Sequence, residues 1–513
     1  MNEIYDGFWL LLPILLSGAS GIGLLLKREA GKRLHLFVGV VLVLSVGLMF
    51  AAVWPGERSL TLFTLMDGIP VYFHVDALGR LFAVITSVIW LITGIYAFLY
   101  MKHEGEEKRF FGFYLLAYGV LLSLDFAGNL ITLYFFYELM TLTSMPFVLH
   151  SGSKEAIMAA LKYLFYSMCG AYCALFGIYV LYQYCDTLTF TAGGTLNPVL
   201  AAGNSGILLT AVSLMLLGFG AKAGMFPLHA WLTAAHPAAP APASAALSAI
   251  IVKSGVLAVI RGVYYIIGPD FIRGTWVQTA WMSLSLLTVF MGSMLAYREK
   301  VFKKRLAYST ISQVSYILFG LSLLTPTGMT GALLHVVFHA CVKCALFLTA
   351  GIFIFRTGKT RVDEYTGIGK RMKVTLWCYT FASLALIGIP PFSGFTSKWY
   401  LAQGALQSET GIFRILGPVI LLLSALLTAG YLLPITMKGF LPGVGGQNAE
   451  NLTEETGTPP ADRMQRETDD GRSAEKMDKM SAALLVLTIL TVLLGIWPNP
   501  LIQYAAKIAA AVM

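Results

Sequence analysis

Four ionisable side chains, Glu138, Lys222, Lys253 and Lys398, sit in the middle of long apolar runs, and His229, His236, His335, His339 and Lys343 lie in or beside the same runs. An ionised residue at the centre of a membrane helix costs about 2.5–3.5 kcal/mol on insertion scales, so residues of this kind mark function more often than structure. Carboxylate, ammonium and imidazole share one chemistry. Each takes up and releases a proton, and imidazole does so near neutral pH. The bland readings are a carboxyl that glues helices together, for Glu138 in NLITLYFFYELMTLTSMPFVL, and a lysine that snorkels to an interface, for Lys253. Snorkelling fits Lys253 poorly, because it lies about fourteen residues from either end of its run.

The spacing around these residues adds to the case. In LGFGAKAGMFPLHAWLTAAHPAAPAPASAALSAIIVK (217–253), Lys222 falls between Gly220 and Gly224 with Pro227 just beyond, which predicts an interrupted helix whose freed carbonyls solvate the ammonium. A second unpaired lysine nearby, Lys253, would repel the first, so a modest rearrangement could pass a proton between them. In LLHVVFHACVKCALFLTAG, His335, His339, Cys341 and Cys344 look at first like a metal site. At about 100° per residue, His335, His339 and Lys343 share one face within about 80°, and the two cysteines fall roughly 180–240° away. A relay stripe about 12 Å long therefore fits better than a zinc or haem site. In ALIGIPPFSGFTSKWYL, Pro390, Pro391 and Gly394 predict a second break, with Lys398 after it.

These residues need a membrane to hold them. Of 513 residues, 57% are hydrophobic and 12% charged, with a mean hydropathy of +0.73. Soluble domains carry roughly 25% charged residues. The apolar runs have the length of a crossing helix and lack the alternation of a barrel strand, which makes the chain an all-α polytopic membrane protein. About fourteen spans are expected, near 8–26, 34–54, 77–101, 110–127, 129–150, 161–184, 205–233, 239–267, 275–297, 302–324, 328–356, 374–402, 412–440 and 481–500.

Loop charge orients them. Lys27, Arg28, Lys32 and Arg33 follow span 1, and Lys102, Lys108 and Arg109 follow span 3; Lys154 follows span 5. Arg298, Lys300, Lys303, Lys304 and Arg305 follow span 9, and Arg356, Lys359, Arg361, Lys370, Arg371 and Lys373 follow span 11. The other loops are nearly bare. Odd-numbered spans then end in the cytoplasm and both termini face outward. Spans 4–8 and 9–13 form two groups of five that start on opposite sides, each with its broken helix fourth, which is the arrangement of an inverted repeat. The expected division is an N-terminal three-helix region (1–109), two five-helix repeats (110–267 and 275–440), a solvated, flexible polar linker (441–480) and a C-terminal transmembrane helix (481–513).

The net charge of +9 sits in short loops and is no nucleic-acid footprint. The opening MNEIYDG is acidic, unlike the positive start of a signal peptide. Cys169, Cys173, Cys185, Cys341, Cys344 and Cys378 read as small core residues and not as a disulfide framework.

With GFGAKAGMFPLHAWLTAAHPAAPAPASAALSAIIVKSG and GIPPFSGFTSKW in view, spans 3–13 resemble the antiporter-like subunits shared by respiratory complex I, Mrp-type Na+/H+ antiporters and membrane-bound hydrogenases. The resemblance is to the shorter members, Mrp D-type or complex I M/N-type, since no long lateral arm follows the last span and the twelfth-span residue is lysine where some members carry glutamate. It implies a mid-membrane proton path. Glu138 would set the proton affinity of Lys222, Lys253 would follow on the eighth helix, His236, His335 and His339 would join the relay, and Lys398 would lead to the outer exit. It also implies partner membrane subunits, with a peripheral redox module or Na+ movement driving the path, in a prokaryotic cell membrane.

No cofactor is expected in this chain, which has no CxxC…CxxC pattern, dinucleotide fingerprint or phosphate loop. Two other readings stand beside this one. An oxidoreductase subunit could bind haem or quinone through His335 and His339, and a stand-alone carrier could move a solute without partners.

Overall fold

The computed structural model describes residues 2–27, 33–54, 56–66, 69–441, 475 and 477–513. Arg28, Lys32 and most of the expected linker lie outside the described residues.

The helices are α1 (Asn2–Leu26), α2 (Leu34–Val53), α3 (Ala77–Glu104), α4 (Glu107–Asp125), α5 (Leu130–Val148) and α6 (Lys154–Tyr184). A broken helix follows, α7a (Ser205–Ala223) and α7b (Ala230–Ala238). Then come α8 (Ala241–Ile267), α9 (Trp276–Arg298), α10 (Phe302–Ser322) and α11 (Pro326–Thr357). A second broken helix, α12a (Lys373–Ile387) and α12b (Ser393–Gln407), precedes α13 (Phe413–Phe440), α14 (Lys479–Ile496) and α15 (Asn499–Ala511). Eleven of the described helices are long and apolar enough to cross a membrane. The chain is thus a mostly helical, multi-pass membrane protein.

Both breaks fall where glycine and proline predict them. α7a ends on Gly224 at φ 79°, and a Cβ there would come within 2.4 Å of Leu232 Cδ1. α12a ends on Gly388 at φ 90°. Only glycine adopts this left-handed conformation at no steric cost.

Three helices form the centre. α8 and the apolar window of α11 are buried over 100% and 94% of their length. α10 is buried except at Lys304 and Tyr308. Because α10 meets protein on every side, it needs no apolar coat and carries Ser309, Thr310, Ser312, Gln313 and Ser315. That polar content keeps it out of the eleven. α4, with its charged first turn, falls outside them for a similar reason.

Four expectations change. The chain is not all-α, because β1 (Arg58–Met66) and β2 (Ile69–Val75) form an antiparallel hairpin. The hairpin caps the α4–α5 junction, where His74 N donates to Phe126 O (2.8 Å), Gly128 N to Tyr72 O (2.9 Å) and Asn129 Nδ2 to Pro70 O (2.7 Å). The last span ends at Ile496, and the amphipathic α15 follows it. Lys303 and Arg305 are not free loop charges. They start α10 buried, Lys303 Nζ donating to Ala239 O (2.8 Å), a carbonyl left open at the end of α7b, and Arg305 NH1 to Tyr431 O within α13 (2.7 Å). The end of the polar linker is anchored too: Glu475 accepts from Val374 N (2.7 Å) and Arg356 NH1 (2.9 Å), and Asp478 from Arg356 NH2 (3.0 Å).

All six cysteines are free. Cys341, Cys344 and Cys378 are buried as expected, whereas Cys169 is exposed on the outer face of α6.

Candidate functional site

Lys222 lies one residue before the end of α7a and is fully buried. Its ammonium donates to Thr141 Oγ1 on α5 (2.6 Å) and to Tyr163 OH and Ser167 Oγ on α6 (3.2 Å each), with the Tyr163 ring 4.8 Å away. The freed carbonyls expected to solvate it are already taken. Gly220 O accepts from Met225 N (2.8 Å), and Ala221 O accepts from Gly224 N (3.1 Å) and Trp231 Nε1 (2.9 Å). Hydrogen bonds to a charged group contribute about 1.5–3 kcal/mol each. Two or three of them offset an insertion cost of about 2.5–3.5 kcal/mol, so Lys222 is housed without touching a carboxylate.

Glu138 sits half-buried on α5, one turn before Thr141, and its Oε1 is buried with no hydrogen-bond partner among the described residues. No ion pair joins it to Lys222 among those residues, so the two interact through space without direct contact.

Lys253 lies in the α-helical centre of α8, between π-helical turns at Leu247–Ile251 and Arg261–Ile267. A π turn displaces the regular ladder and frees backbone acceptors. Ser248 O is such an acceptor and receives Lys253 Nζ at 2.6 Å. The same Nζ lies 2.7 Å from His339 Nδ1. Among the described residues Lys222 and Lys253 share no hydrogen-bond partner, and the side chain that Lys253 contacts is His339.

The α11 stripe holds together. The His339 ring stacks on His335 at 5.8 Å, and His335 stacks on Tyr316 at 5.6 Å. His335 Nδ1 lies 2.9 Å from Ser397 Oγ, one residue before Lys398. Lys398 Nζ donates to Leu386 O (2.7 Å) and Ile387 O (2.9 Å), the open carbonyls at the end of α12a, and lies 5.1 Å from the Tyr316 ring centre. Lys343 Nζ donates to Leu306 O at 3.0 Å. Cys344 turns to α3, with Sγ 3.3 Å from Thr93 Oγ1, so the cysteines and histidines do not converge. Among the described residues no group of three or more His, Cys, Asp or Glu side chains is placed to hold a metal ion.

The remaining two histidines stand apart from the stripe. His229 lies in the α7 break with its ring 5.8 Å from Phe226, and His236 is buried against Phe347 at 4.6 Å. Both nitrogens of His236, Nδ1 of His229, Nε2 of His335 and His339, and both polar atoms of Gln313 on α10 are buried without partners among the described residues. Buried polar atoms of this kind are normally satisfied by ordered water.

Sequence reading missed the Thr141–Tyr163–Ser167 nest, Gln313, and a buried ion pair in which Arg261 donates to both Asp76 oxygens at 2.6 and 2.7 Å. Arg261 sits within span 8, and its charge was the available signal. The hydroxyls are too common along spans 5 and 6 to single out without the fold.

Residues 127–428, more than half the chain, match the family model described as NADH:quinone oxidoreductase/Mrp antiporter, TM. The chain is 32% identical over 440 residues to NADH-quinone oxidoreductase subunit N of Desulforudis audaxviator, covering 85% of this chain and 84% of that one. It is 29% identical over 507 residues to a Na(+)/H(+) antiporter subunit of Bacillus subtilis, covering 97% and 96%. Its fold matches a chain of the Mrp complex from Dietzia sp. DQ12-45-1b with a TM-score of 0.82 at 23% identity, covering 100% of this chain and 98% of that one. With its buried lysines and histidines aligned through the centre of this fold, the chain belongs to the antiporter-like membrane subunits of the NADH:quinone oxidoreductase/Mrp antiporter family.

Proposed function

We propose that the chain carries protons along a mid-membrane row that runs from Glu138 through Lys222, Lys253, His339 and His335 to Lys398, within a multi-subunit complex. One observation carries the reading: Lys253, His339, His335 and Ser397–Lys398 follow one another at contact distance across three helices. His229, His236 and Lys343 line the same interior and serve as side branches of the relay. Lys222 and Lys253 are joined through water, since no side chain bridges them among the described residues.

The finer architecture belongs to the same proposal. Fourteen spans arise when α4, α10 and the pair α12a–α12b are added to the eleven apolar helices. The α4–α8 and α9–α13 groups form the inverted repeats, with 1–109, 441–480 and 481–513 as the flanking region, linker and last helix. Both termini face outward, and Lys398 leads to the outer side of a prokaryotic cell membrane.

Partner subunits follow from Glu138, which lies half-buried between the exposed Phe135 and Leu142 on the flank of α5. A carboxylate there needs a neighbouring protein surface to keep it from lipid. The driving reaction, in a redox module or through Na+ movement in partner subunits, lies outside this chain, which carries no cofactor of its own. The haem reading loses support because His335 and His339 stack on each other one turn apart on a single helix, which leaves them unable to take opposite faces of one macrocycle.

In vesicles containing the whole complex, Lys222→Ala and Glu138→Ala should each abolish proton translocation while the partner module keeps its own activity. Normal pumping in both variants would sink the proposal.

A further inference from the structure

Where α2 begins, α3 ends and α14 begins, the molecule holds a recess that the relay does not use. A cavity of about 510 Å³ opens there between the three helices, lined by His35, Phe98, Leu99, Lys102, Lys479 and Ala482 among others. All three helices are long and apolar enough to cross a membrane, so their shared polar ends place the cavity at a membrane surface. Its charge is positive. Lys102 and Lys479 are exposed, and neither has a carboxylate partner among the described residues; the Lys479 ammonium lies 6.0 Å from the Phe98 ring centre. The nearby acids are committed elsewhere, Asp478 to Arg356 NH2 (3.0 Å) and Ser481 N (2.8 Å), and Glu107 to His35. Glu104 is two residues past Lys102 and therefore about 160° around α3 from it.

Below the cavity the surface turns wholly apolar. Between Leu81 and Met101 the residues of α3 that are not buried are Val84, Val88, Leu91, Ile95, Phe98 and Leu99. All six lie within about 60° of Lys102 around the helix, so they form one stripe beneath it. α2 and α14 both pack on α3 and leave this stripe open. On one side, a Cβ at Gly39 of α2 would lie 3.6 Å from Phe98. On the other, Ala482 leads into Val486, Ile489 and Leu493 along one face of α14. Val486 and Leu493 are 54% and 57% exposed, whereas five of the six α3 residues are half-buried. The stripe is the floor of a furrow.

We propose that an anionic phospholipid is seated in this recess, its phosphate between Lys102 and Lys479 and one acyl chain lying along the α3 stripe between α2 and α14. Two unpaired cations stand at headgroup depth, and a purely apolar floor runs beneath them at tail depth. That sequence of surfaces complements an amphiphile with an anionic head. Basic pockets between membrane helices hold anionic headgroups in this way. Ile95 and Leu91 lie about 10 Å and about 16 Å below Lys102 along the helix axis, a span that fits one leaflet of a hydrocarbon core about 30 Å thick. A partner helix, about 10–12 Å across, would rest on the walls and leave the floor uncovered, whereas an extended chain fills it. The seat is independent of the proposed relay.

The test uses the whole complex, purified in mild detergent, stripped of lipid and titrated with phosphatidylglycerol. Native mass spectrometry then counts the lipid that stays on this subunit as it leaves the complex. Lys102→Gln combined with Lys479→Gln should weaken phosphatidylglycerol binding about 30-fold, since each lysine near an anionic headgroup contributes about a factor of five. Phosphatidylcholine should bind weakly and equally to both proteins. Ile95→Trp, which fills the floor and keeps both lysines, should also expel the lipid. Unchanged phosphatidylglycerol binding in the double-lysine variant means non-specific annular lipid only and overturns the proposal. So does inorganic phosphate that displaces the lipid at equal concentration, because the acyl chain would then add nothing. A photo-crosslinking residue in place of Ala482, in the native membrane, identifies the occupant. Adducts of lipid mass support the seat, and protein adducts assign the furrow to a partner subunit and overturn it. If the double-lysine variant does not assemble, Ile95→Trp decides, with undiminished binding as the overturning result.

Discussion

The two broken helices carry one lysine each and solvate it in different ways. In α7, Lys222 precedes the break, and the carbonyls opened there are consumed by Met225 N, Gly224 N and Trp231 Nε1. Its partners are three hydroxyls on neighbouring helices. In α12, Lys398 follows the break and reaches back to Leu386 O and Ile387 O, at the negative end of the α12a dipole. Hydroxyls both accept and donate, so the α7 nest has partners for an ammonium and for the lone pair of an amine. Carbonyls only accept. The α7 site is therefore equipped for either protonation state by side chains that turn, whereas the α12 site presents a fixed backbone surface to the charge. Position relative to the break, and not the break itself, sets this difference.

The hydroxyl nest is the strongest place to break the comparison. Thr141→Val combined with Ser167→Ala removes two bonds to a buried charge, each contributing about 1.5–3 kcal/mol. Proton translocation should fall by at least about 10–100-fold, since 1.4 kcal/mol is a factor of ten. Among the described residues no equivalent pair of side chains stands at Lys398, where Ser397→Ala removes a contact with His335 and a bond to Gly394 O but none to the ammonium. If Ser397→Ala proves as damaging as the double variant, the contrast fails.

A smaller effect is expected from the caps. Gly224→Ala meets Leu232 Cδ1 at 2.4 Å, and Gly388→Ala meets the flexible Lys398 Cδ at 3.0 Å, both at positive φ. The left-handed conformation alone costs about 1–2 kcal/mol. Thermal unfolding in detergent should show both variants less stable, Gly224→Ala more so, because α7 is packed closer at its cap. Equal losses would mean that backbone strain alone sets both caps.

The smallest effect is a control away from both breaks. Burial pushes the Asp478 carboxyl up, but the Ser481 backbone N–H and the Arg356 guanidinium outweigh it, and the group titrates below its ordinary value of 3.8. A lowered carboxyl stabilises the fold above its unfolded pKa and loses that contribution as pH falls through the folded one. Asp478→Asn should therefore lower thermal stability slightly at neutral pH, by about 0–1 kcal/mol for a solvent-screened pair. The gap should close in strong acid. A gap that persists there would assign the effect to packing.

The lysines, histidines and helix breaks were legible because charge in an apolar run, and glycine with proline inside a span, are local signals. The β-hairpin was not. Its strands pair locally with each other, but they dock on the α4–α5 junction more than 50 residues further along, and that surface leaves no local signal in the strands themselves. α10 was found as a span, but its polar core and its buried Lys303 and Arg305 follow only from being enclosed by protein, since hydropathy measures a preference for lipid.

Composition and spacing alone determined that the chain is a multi-pass helical membrane protein with interrupted seventh and twelfth helices and costly ionisable residues at their depth. These properties depend on near neighbours in sequence and on a uniform apolar solvent. Only the tertiary structure decided what each charge touches: that Lys222 rests on hydroxyls and Lys398 on carbonyls, that Lys253 meets His339, and that Glu138 stands without a direct partner among the described residues. Those pairings join residues up to 86 positions apart, and hydrogen bonds act over about 3 Å, so helix packing alone selects them.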